Sequence, residues 1–116
     1  MSTDIYIDLE KDGKEEFIRI GHAGILCLID PLYDQLRDLS YRSPILDPTT
    51  IHIIRSFVYG LEMRIEYYKD MDPEEYSKIF GCLKPMPEFW KDSPTESSIW
   101  ADLIPFLGWK WRMRID

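Results

Sequence analysis

The final segment of the chain alternates apolar and basic side chains, and this pattern constrains the fold more than any other in the sequence. Three bases, Lys110, Arg112 and Arg114, are separated by apolar residues. These apolar residues are Trp109, Trp111, Met113 and Ile115. A period of two residues is typical of a β-strand that buries one face.

Residues 4–10 alternate in the same way but carry the opposite charge. Their apolar face is formed by Ile5, Ile7 and Leu9, and the other face carries Asp4, Asp8 and Glu10. Cross-strand pairs of opposite charge each stabilise a sheet by about 0.2–1 kcal/mol. We therefore expect the two segments to be neighbouring strands, with the three bases neutralised by the three acids.

The region that follows the first strand predicts a hairpin. The Asp12-Gly13 dipeptide suits a type I′ turn, in which both central residues need a positive φ, and residues 15–20 are expected to form the return strand. The Gly-His-Ala-Gly segment at 21–24 predicts a flexible break. Residues 23–29 suit either a helical turn or a buried strand.

Three Asp-Pro dipeptides predict three helix starts, because aspartate is a good N-cap and proline is tolerated at the first helical position. The expected caps are Asp30, Asp47 and Asp72, and the helices are expected to span residues 31–40, 49–70 and 73–83. In the long helix, helical spacing predicts a core stripe of Ile51, Ile54, Val58, Leu61, Ile65 and Tyr68. Gly60 in that helix is expected to permit close packing.

The remaining elements complete an α+β prediction. In the third helix the residues expected to face inward are Tyr76, Ile79, Phe80 and Leu83. A proline-rich loop over 84–94 precedes a short helix over 96–103, capped by Thr95 or Ser97 and ended by Pro105, with Ile99, Trp100, Leu103 and Ile104 on one face. We expect a small antiparallel sheet, made of the N-terminal hairpin and the C-terminal strand, packed against three to four helices.

Length and composition predict a single domain over residues 1–116. The chain of 116 residues is 45% hydrophobic, which is enough for one core. No apolar run reaches the roughly 20 residues of a membrane span, and the N-terminus lacks the pattern of a signal peptide, so we expect a cytoplasmic protein. Cys27 and Cys82 are expected to be reduced and buried, with a disulfide between them left open by the sequence.

The sequence offers little for catalysis. It contains no phosphate-binding glycine loop, zinc-protease motif or serine triad, and no cofactor or metal is expected. His22 lies between glycines, where it could act as a general base together with Glu62 or Glu66. Those two carboxylates are four residues apart on the long helix, where intrahelical ion pairs with neighbouring bases explain them equally well.

The net charge of −7 argues against nucleic acid or an anionic membrane as a direct partner, because both require a basic footprint. It favours a basic protein such as a toxin or nuclease. Small bacterial or phage inhibitors and immunity proteins use the same physics, a similarity of size and charge only. The expected contact residues are Glu62, Glu66, Tyr67, Asp70, Asp72, Glu74, Glu75, Phe89 and Trp90, with Tyr68 and Tyr76 nearby.

Two other hypotheses belong to different classes of function. One is a self-associating subunit of a complex, which uses an exposed strand edge or the tryptophan-rich end of the chain as its contact. The other is a small enzyme that uses His22. The sequence leaves the choice between a monomer and a homodimer open.

Overall fold

The chain folds as a three-stranded antiparallel sheet packed against helices, which confirms the predicted α+β class. The computed structural model describes residues 3–27, 31–81, 84 and 91–116. The strands are β1 (Asp4–Lys11), β2 (Lys14–His22) and β3 (Lys110–Ile115). The helices are α1 (Ala23–Leu26), α2 (Leu32–Arg42), α3 (Pro48–Lys69), α4 (Pro73–Phe80) and α5 (Glu96–Leu103), which a 3₁₀ turn (Ile104–Phe106) follows.

The two predicted end strands do pair, with β1 at the centre of the sheet in the order β2-β1-β3. Asp12 and Gly13 have φ values of 52° and 82°, the positive values that the predicted hairpin turn requires. At the other end of β1, Asp4 and Asp116 exchange two backbone hydrogen bonds of 2.9 Å. The apolar residues of β1 and Trp111 of β3 lie in the core, so one face of the sheet is buried, and no helix of the described residues covers the other face, here called the helix-free face.

The predicted neutralisation of the three bases is correct for one of them only. Arg114 donates from Nε to both carboxylate oxygens of Asp8, at 2.8 and 3.1 Å. Its guanidinium also lies over the Tyr6 ring, 4.4 Å from the centroid, which explains why Asp8 binds Arg114 diagonally and not Arg112 directly opposite. Asp4 pairs with Arg19. Lys110 and Arg112 are exposed and form no ion pair within the described ranges.

Half of the free edge of β3 is covered by the connector between α2 and α3, which the sequence did not predict. Leu46 exchanges backbone hydrogen bonds with Trp109 and Gly108, and the Trp111 amide donates to the carbonyl of Pro44. The Trp111 indole N–H donates to the carbonyl oxygen of Ser43 at 2.7 Å. The tryptophan-rich end therefore belongs to the core and its border, because Trp111 is buried and Trp109 is half-buried against the core. It is not an open contact surface.

The helix starts at Asp47 and Asp72 are confirmed. The Asp47 carboxylate accepts from the Thr50 amide at 2.7 Å, and Asp72 accepts from the Glu74 amide at 3.4 Å. Thr95 and Ser98 form a reciprocal capping box at the start of α5. Asp30, Leu83 and Cys82 lie outside the described residues. The α2 helix begins after Pro31, whose position carries no side-chain cap.

Four local predictions are wrong. Gly21 and His22 belong to β2 and are not a flexible break, because Gly21 pairs with Ile5 beside a β-bulge. Ile79 is 57% exposed, so it lies on the outer face of α4, one residue before the helix ends at Phe80. Cys27 is a free, exposed thiol. A Cβ on Gly60 would meet no atom within 4 Å, so no close packing in the described chain requires this glycine.

Two smaller points complete the fold. Ile104 lies in the 3₁₀ turn after α5 and is exposed, whereas Ile99 and Leu103 are buried as predicted. Within the part of the chain described, no helix combines the length and the apolar character needed to cross a membrane.

Candidate protein-binding surface

The predicted contact residues that the structure describes lie along the second half of α3 and the first turn of α4. Glu66, Tyr67 and Asp70 are exposed at the end of α3, and Glu62 is half-buried one turn earlier. Asp72, Glu74 and Glu75 are exposed at the start of α4. The link between the helices is only a few residues long, so the two groups are close neighbours. Phe89 and Trp90 lie outside the described residues.

Two of the tyrosines expected beside these acids are packing residues. Tyr76 is completely buried, and Tyr68 is half-buried. Both rings contact Phe80, with centroid distances of 4.7 Å from Tyr76 and 4.9 Å from Tyr68. They fix α4 against α3 and are not available to a partner.

A line of three large exposed side chains, here called the α3 stripe, runs along the outer side of α3. Tyr59, Met63 and Tyr67 are 53%, 56% and 69% exposed. A spacing of four residues places them on one face, each a turn above the last. Met63 was missed by sequence reasoning. It could have been found as the complement of the core stripe, since Ile54, Val58, Leu61 and Ile65 fill the opposite face of the same helix.

Carboxylates flank the α3 stripe on one side and at its end. By helical spacing Glu62 and Glu66 follow one flank, Asp70 lies at the end, and Arg64 lies on the other flank. Lys69 lies 3.5 Å from the Glu66 carboxylate, an exposed pair of little energetic weight.

Basic residues reduce the acidity of this region. The ammonium group of Lys84 donates to the backbone carbonyls of Lys69 and Met71, both at 2.6 Å, and so caps the end of α3. Lys78 lies 3.9 Å from the carboxylate of Glu74. From residue 62 to residue 84 the carboxylates are Glu62, Glu66, Asp70, Asp72, Glu74 and Glu75, and the bases are Arg64, Lys69, Lys78 and Lys84. The surface is therefore moderately acidic, and apolar contact area is its more distinctive property.

A shallow groove of about 360 Å³ lies beside the stripe. It is lined by Glu62, Glu66 and Lys69 from α3 and by Lys91, Ser93 and Thr95 before α5. Its lining holds two carboxylates and two ammonium groups, a balance that suits neither a strongly acidic nor a strongly basic small ligand.

His22 serves the fold at the start of α1. Its Nδ1 atom accepts a hydrogen bond of 2.9 Å from the Gly24 amide, which makes it the N-cap of that helix. It does not line the groove that contains Glu62 and Glu66, so the described residues bring together the two carboxylates but not the histidine.

A second concave surface, of about 650 Å³, lies on the helix-free face of the sheet. Phe17, 64% exposed, stands there beside the Tyr6 ring at a centroid distance of 5.7 Å. Acids from the hairpin and bases from β3 line it together, among them Glu10, Glu15 and Arg112. The acidic side chains of the hairpin and the basic side chains of β3 thus face the same surface, but only some of them form ion pairs.

Neither the metal-ligand geometry nor the comparisons with known proteins assign this chain to a family. In the described residues no group of three or more His, Cys, Asp or Glu side chains is placed to hold a metal ion. Compared with protein-family models, curated proteins and solved structures, the chain matches none of them.

Proposed function

We propose that this protein is a small protein-binding module that uses the α3 stripe and its flanking carboxylates to bind a basic partner protein. The observation that carries the proposal is the stripe itself, because Tyr59, Met63 and Tyr67 are each more than half exposed on one helix face. Tyrosine is enriched among interface residues that dominate binding energy, and methionine adapts its shape to a partner. A partner that covered the stripe would desolvate all three side chains together.

Charge supports a basic partner. The chain carries a net charge of −7, and Glu62, Glu66 and Asp70 border the stripe. Opposite charges at the rim of an interface speed association and select partners more than they add to affinity. Proteins that handle nucleic acid expose such basic surfaces, so an inhibitor or immunity-type role, in which the module covers that surface, follows from the same charges.

Gly60 gives a further reason to place the contact on α3. Glycine in the middle of a helix costs about 1 kcal/mol relative to alanine, and the described part of the chain makes no use of the space at its missing Cβ. Gly60 directly follows Tyr59 in the sequence and lies on the outer side of the helix near Met63. A bare backbone there lets a partner side chain approach closely, so the cost in stability is understandable if the surface binds another protein.

The proposal is tested by comparative capture from an extract of the source cells. Three immobilised baits are compared: the wild type, the triple variant Tyr59→Ser/Met63→Ser/Tyr67→Ser, and the matched control Tyr41→Ser. Tyr41 is 74% exposed on α2, so the control removes a ring that is more exposed than any side chain of the stripe, from another face of the protein. We expect a basic protein that the wild type and the control retain equally, and that the triple variant loses by at least about tenfold, which corresponds to about 1.4 kcal/mol.

The salt dependence of the same capture separates the two parts of the proposal. Raising ionic strength screens the exposed carboxylates, so the association rate of the purified partner is expected to fall more than the dissociation rate rises. Equal retention of every captured protein by the wild type and the triple variant would exclude the α3 stripe as the binding surface. A captured partner of acidic charge would exclude the electrostatic part.

A further inference from the structure

We infer that two copies of this chain pair through the outer edge of β2, and that the three-stranded sheet thereby becomes a continuous six-stranded sheet. This surface is separate from the α3 stripe, so the inference does not depend on the proposed function. The occupant it requires is a second copy of the chain in antiparallel orientation.

Among the described residues, the outer edge of β2 keeps backbone groups without a hydrogen-bond partner. Asp4 exchanges its hydrogen bonds with Asp116 of β3, so even-numbered residues of β1 bond to β3 and odd-numbered ones bond to β2. In the register of the hairpin, Ile7 pairs with Ile18 and Leu9 with Glu16, which leaves the amides and carbonyls of Glu15, Phe17 and Arg19 pointing outward. Among residues placed by the structure, nothing donates to or accepts from these outward groups.

The side chains of this edge are complementary to themselves. If Phe17 opposes its own copy across a twofold axis, Glu15 of one copy opposes Arg19 of the other, and the same pair repeats on the other side of the axis. All three side chains lie on the helix-free face, since they pair across the hairpin with Glu10, Asp8 and Tyr6. Aromatic pairs and pairs of opposite charge are among the cross-strand combinations that stabilise sheets. In an isologous twofold contact, each residue meets the same partner from the other copy, and the order Glu15, Phe17, Arg19 satisfies this rule.

The isolated chain also has an unfavourable contact that the pairing relieves. Glu10 and Glu15 are directly opposite each other in the hairpin, and like charges in that position destabilise a sheet. Neither carboxylate has an ion-pair partner among the described residues. Arg19 of a second copy would bring a cation to Glu15, while it keeps its own contacts with Asp4 and Asp92.

The first test is sedimentation equilibrium of the full chain from about 10 µM to about 1 mM. One strand edge buries less surface than a standard interface of about 1,600 Å², so we expect a weak dimer with a dissociation constant of about 0.1–1 mM. The apparent mass is then expected to rise from 13.8 kDa towards twice that value. Over the same range the amide resonances of Glu15, Phe17 and Arg19 are expected to shift. A constant monomer mass at 1 mM overturns the inference.

Charge exchange makes the test specific for this register. Glu15→Arg places two bases at the edge and Arg19→Glu places two acids there, so each variant alone is expected to lose dimerisation by at least tenfold. Mixed in equal amounts, the two variants are expected to form a heterodimer, because each Arg then opposes a Glu. Asp102→Arg, the same charge change as Glu15→Arg but at an exposed position of α5, is the matched control and is expected to dimerise like the wild type.

The outcomes decide the register even if one variant is unstable. Glu15→Arg lies at an exposed position with no described ion pair, so its folding is expected to be unchanged by circular dichroism. If Glu15→Arg dimerises as well as the wild type, the pairing is wrong. If Arg19→Glu does not fold, because its contacts with Asp4 and Asp92 are lost, Phe17→Pro replaces it. That change removes the outward amide at an edge strand together with the Phe17 ring at the centre of the proposed contact, and it too is expected to abolish the dimer.

Discussion

Replacing Gly60 by alanine is expected to stabilise this protein. Gly60 is an interior residue of the 22-residue helix α3. A Cβ at this position would meet no atom within 4 Å, and its φ is not in the positive range, so alanine fits without strain or contact. The whole difference in helix propensity, about 0.8–1.0 kcal/mol, is then expected to appear in the free energy of unfolding.

The corresponding change in melting temperature follows from the size of the chain. At about 2.1 cal/mol/K per residue, unfolding of 116 residues has an entropy of about 0.24 kcal/mol/K. A gain of about 0.8–1.0 kcal/mol therefore raises the melting temperature by about 3–4 °C. Thermal melting and urea unfolding followed by circular dichroism measure both quantities, and the urea m-value should be unchanged because the buried area is the same.

Gly81 supplies a matched control for the same substitution. Its Cβ would also meet nothing within 4 Å, but its φ is +68° at the end of α4. Alanine in the left-handed region costs about 1–2 kcal/mol, so Gly81→Ala is expected to lower stability where Gly60→Ala raises it. If both substitutions shift the melting temperature in the same direction, backbone conformation does not decide these effects and the reasoning fails.

Three further predictions concern other parts of the fold. Thr50 holds the pKa of Asp47 below its usual value of 3.8 through hydrogen bonds to the carboxylate. The stability that this cap provides is therefore present above pH 3.8 and is lost as the pH falls through the lowered pKa. The free energy of unfolding of the wild type should exceed that of Asp47→Asn near neutral pH, and this difference should disappear at low pH. A difference that stays constant with pH would contradict the prediction. Trp111→Phe is expected to cost about 2–4 kcal/mol in urea unfolding, because it leaves the Ser43 carbonyl without its indole donor and opens space in the core. The Cys27 thiol is exposed but partly shielded from water, and this desolvation, followed by the charge of the Asp34 carboxylate, raises its pKa above the usual value of 9.0. Asp34→Asn should therefore speed alkylation of Cys27 at pH 8 as measured by peptide mass mapping, and an unchanged rate would exclude that electrostatic effect.

The predictions that proved correct depend on interactions within a few residues. Asp47 and Asp72 mark helix starts because their side chains cap amides two or three residues away, and Asp12-Gly13 forms a hairpin turn because both residues accept a positive φ. The pairing of the first and last strands was a long-range prediction, but period-two alternation and opposite charge specify it strongly.

The errors arise where several neighbours compete for the same group. Arg114 binds Asp8 because the Tyr6 ring also attracts its guanidinium. A prediction made only from the charges along two strands does not take that ring into account. Coverage of β3 by the connector around Leu46 depends on where α2 and α3 place their ends.

The candidate surface shows the same limit. Acidic residues on α3 were identified from the sequence, whereas the exposure of Tyr59, Met63 and Tyr67 as one line depends on which face of α3 the rest of the chain leaves uncovered. Tyr76 was expected both to face inward from the third helix and to lie near the contact residues, and its complete burial confirms the first expectation.

The central position of β1 has a consequence for how the chain reaches its native state. Asp8 lies 106 residues away from Arg114, to which it is joined by hydrogen bonds. A contact of such sequence separation forms late, because closure of a long loop must precede it. During synthesis the ribosome releases β1 and β2 long before β3. Until β3 is available, Ile5, Ile7 and Leu9 remain on a two-stranded hairpin, which is only marginally stable in water. The sheet is therefore expected to complete only after residue 115 has emerged, and until then the newly made hairpin is open to chaperones or to another nascent copy.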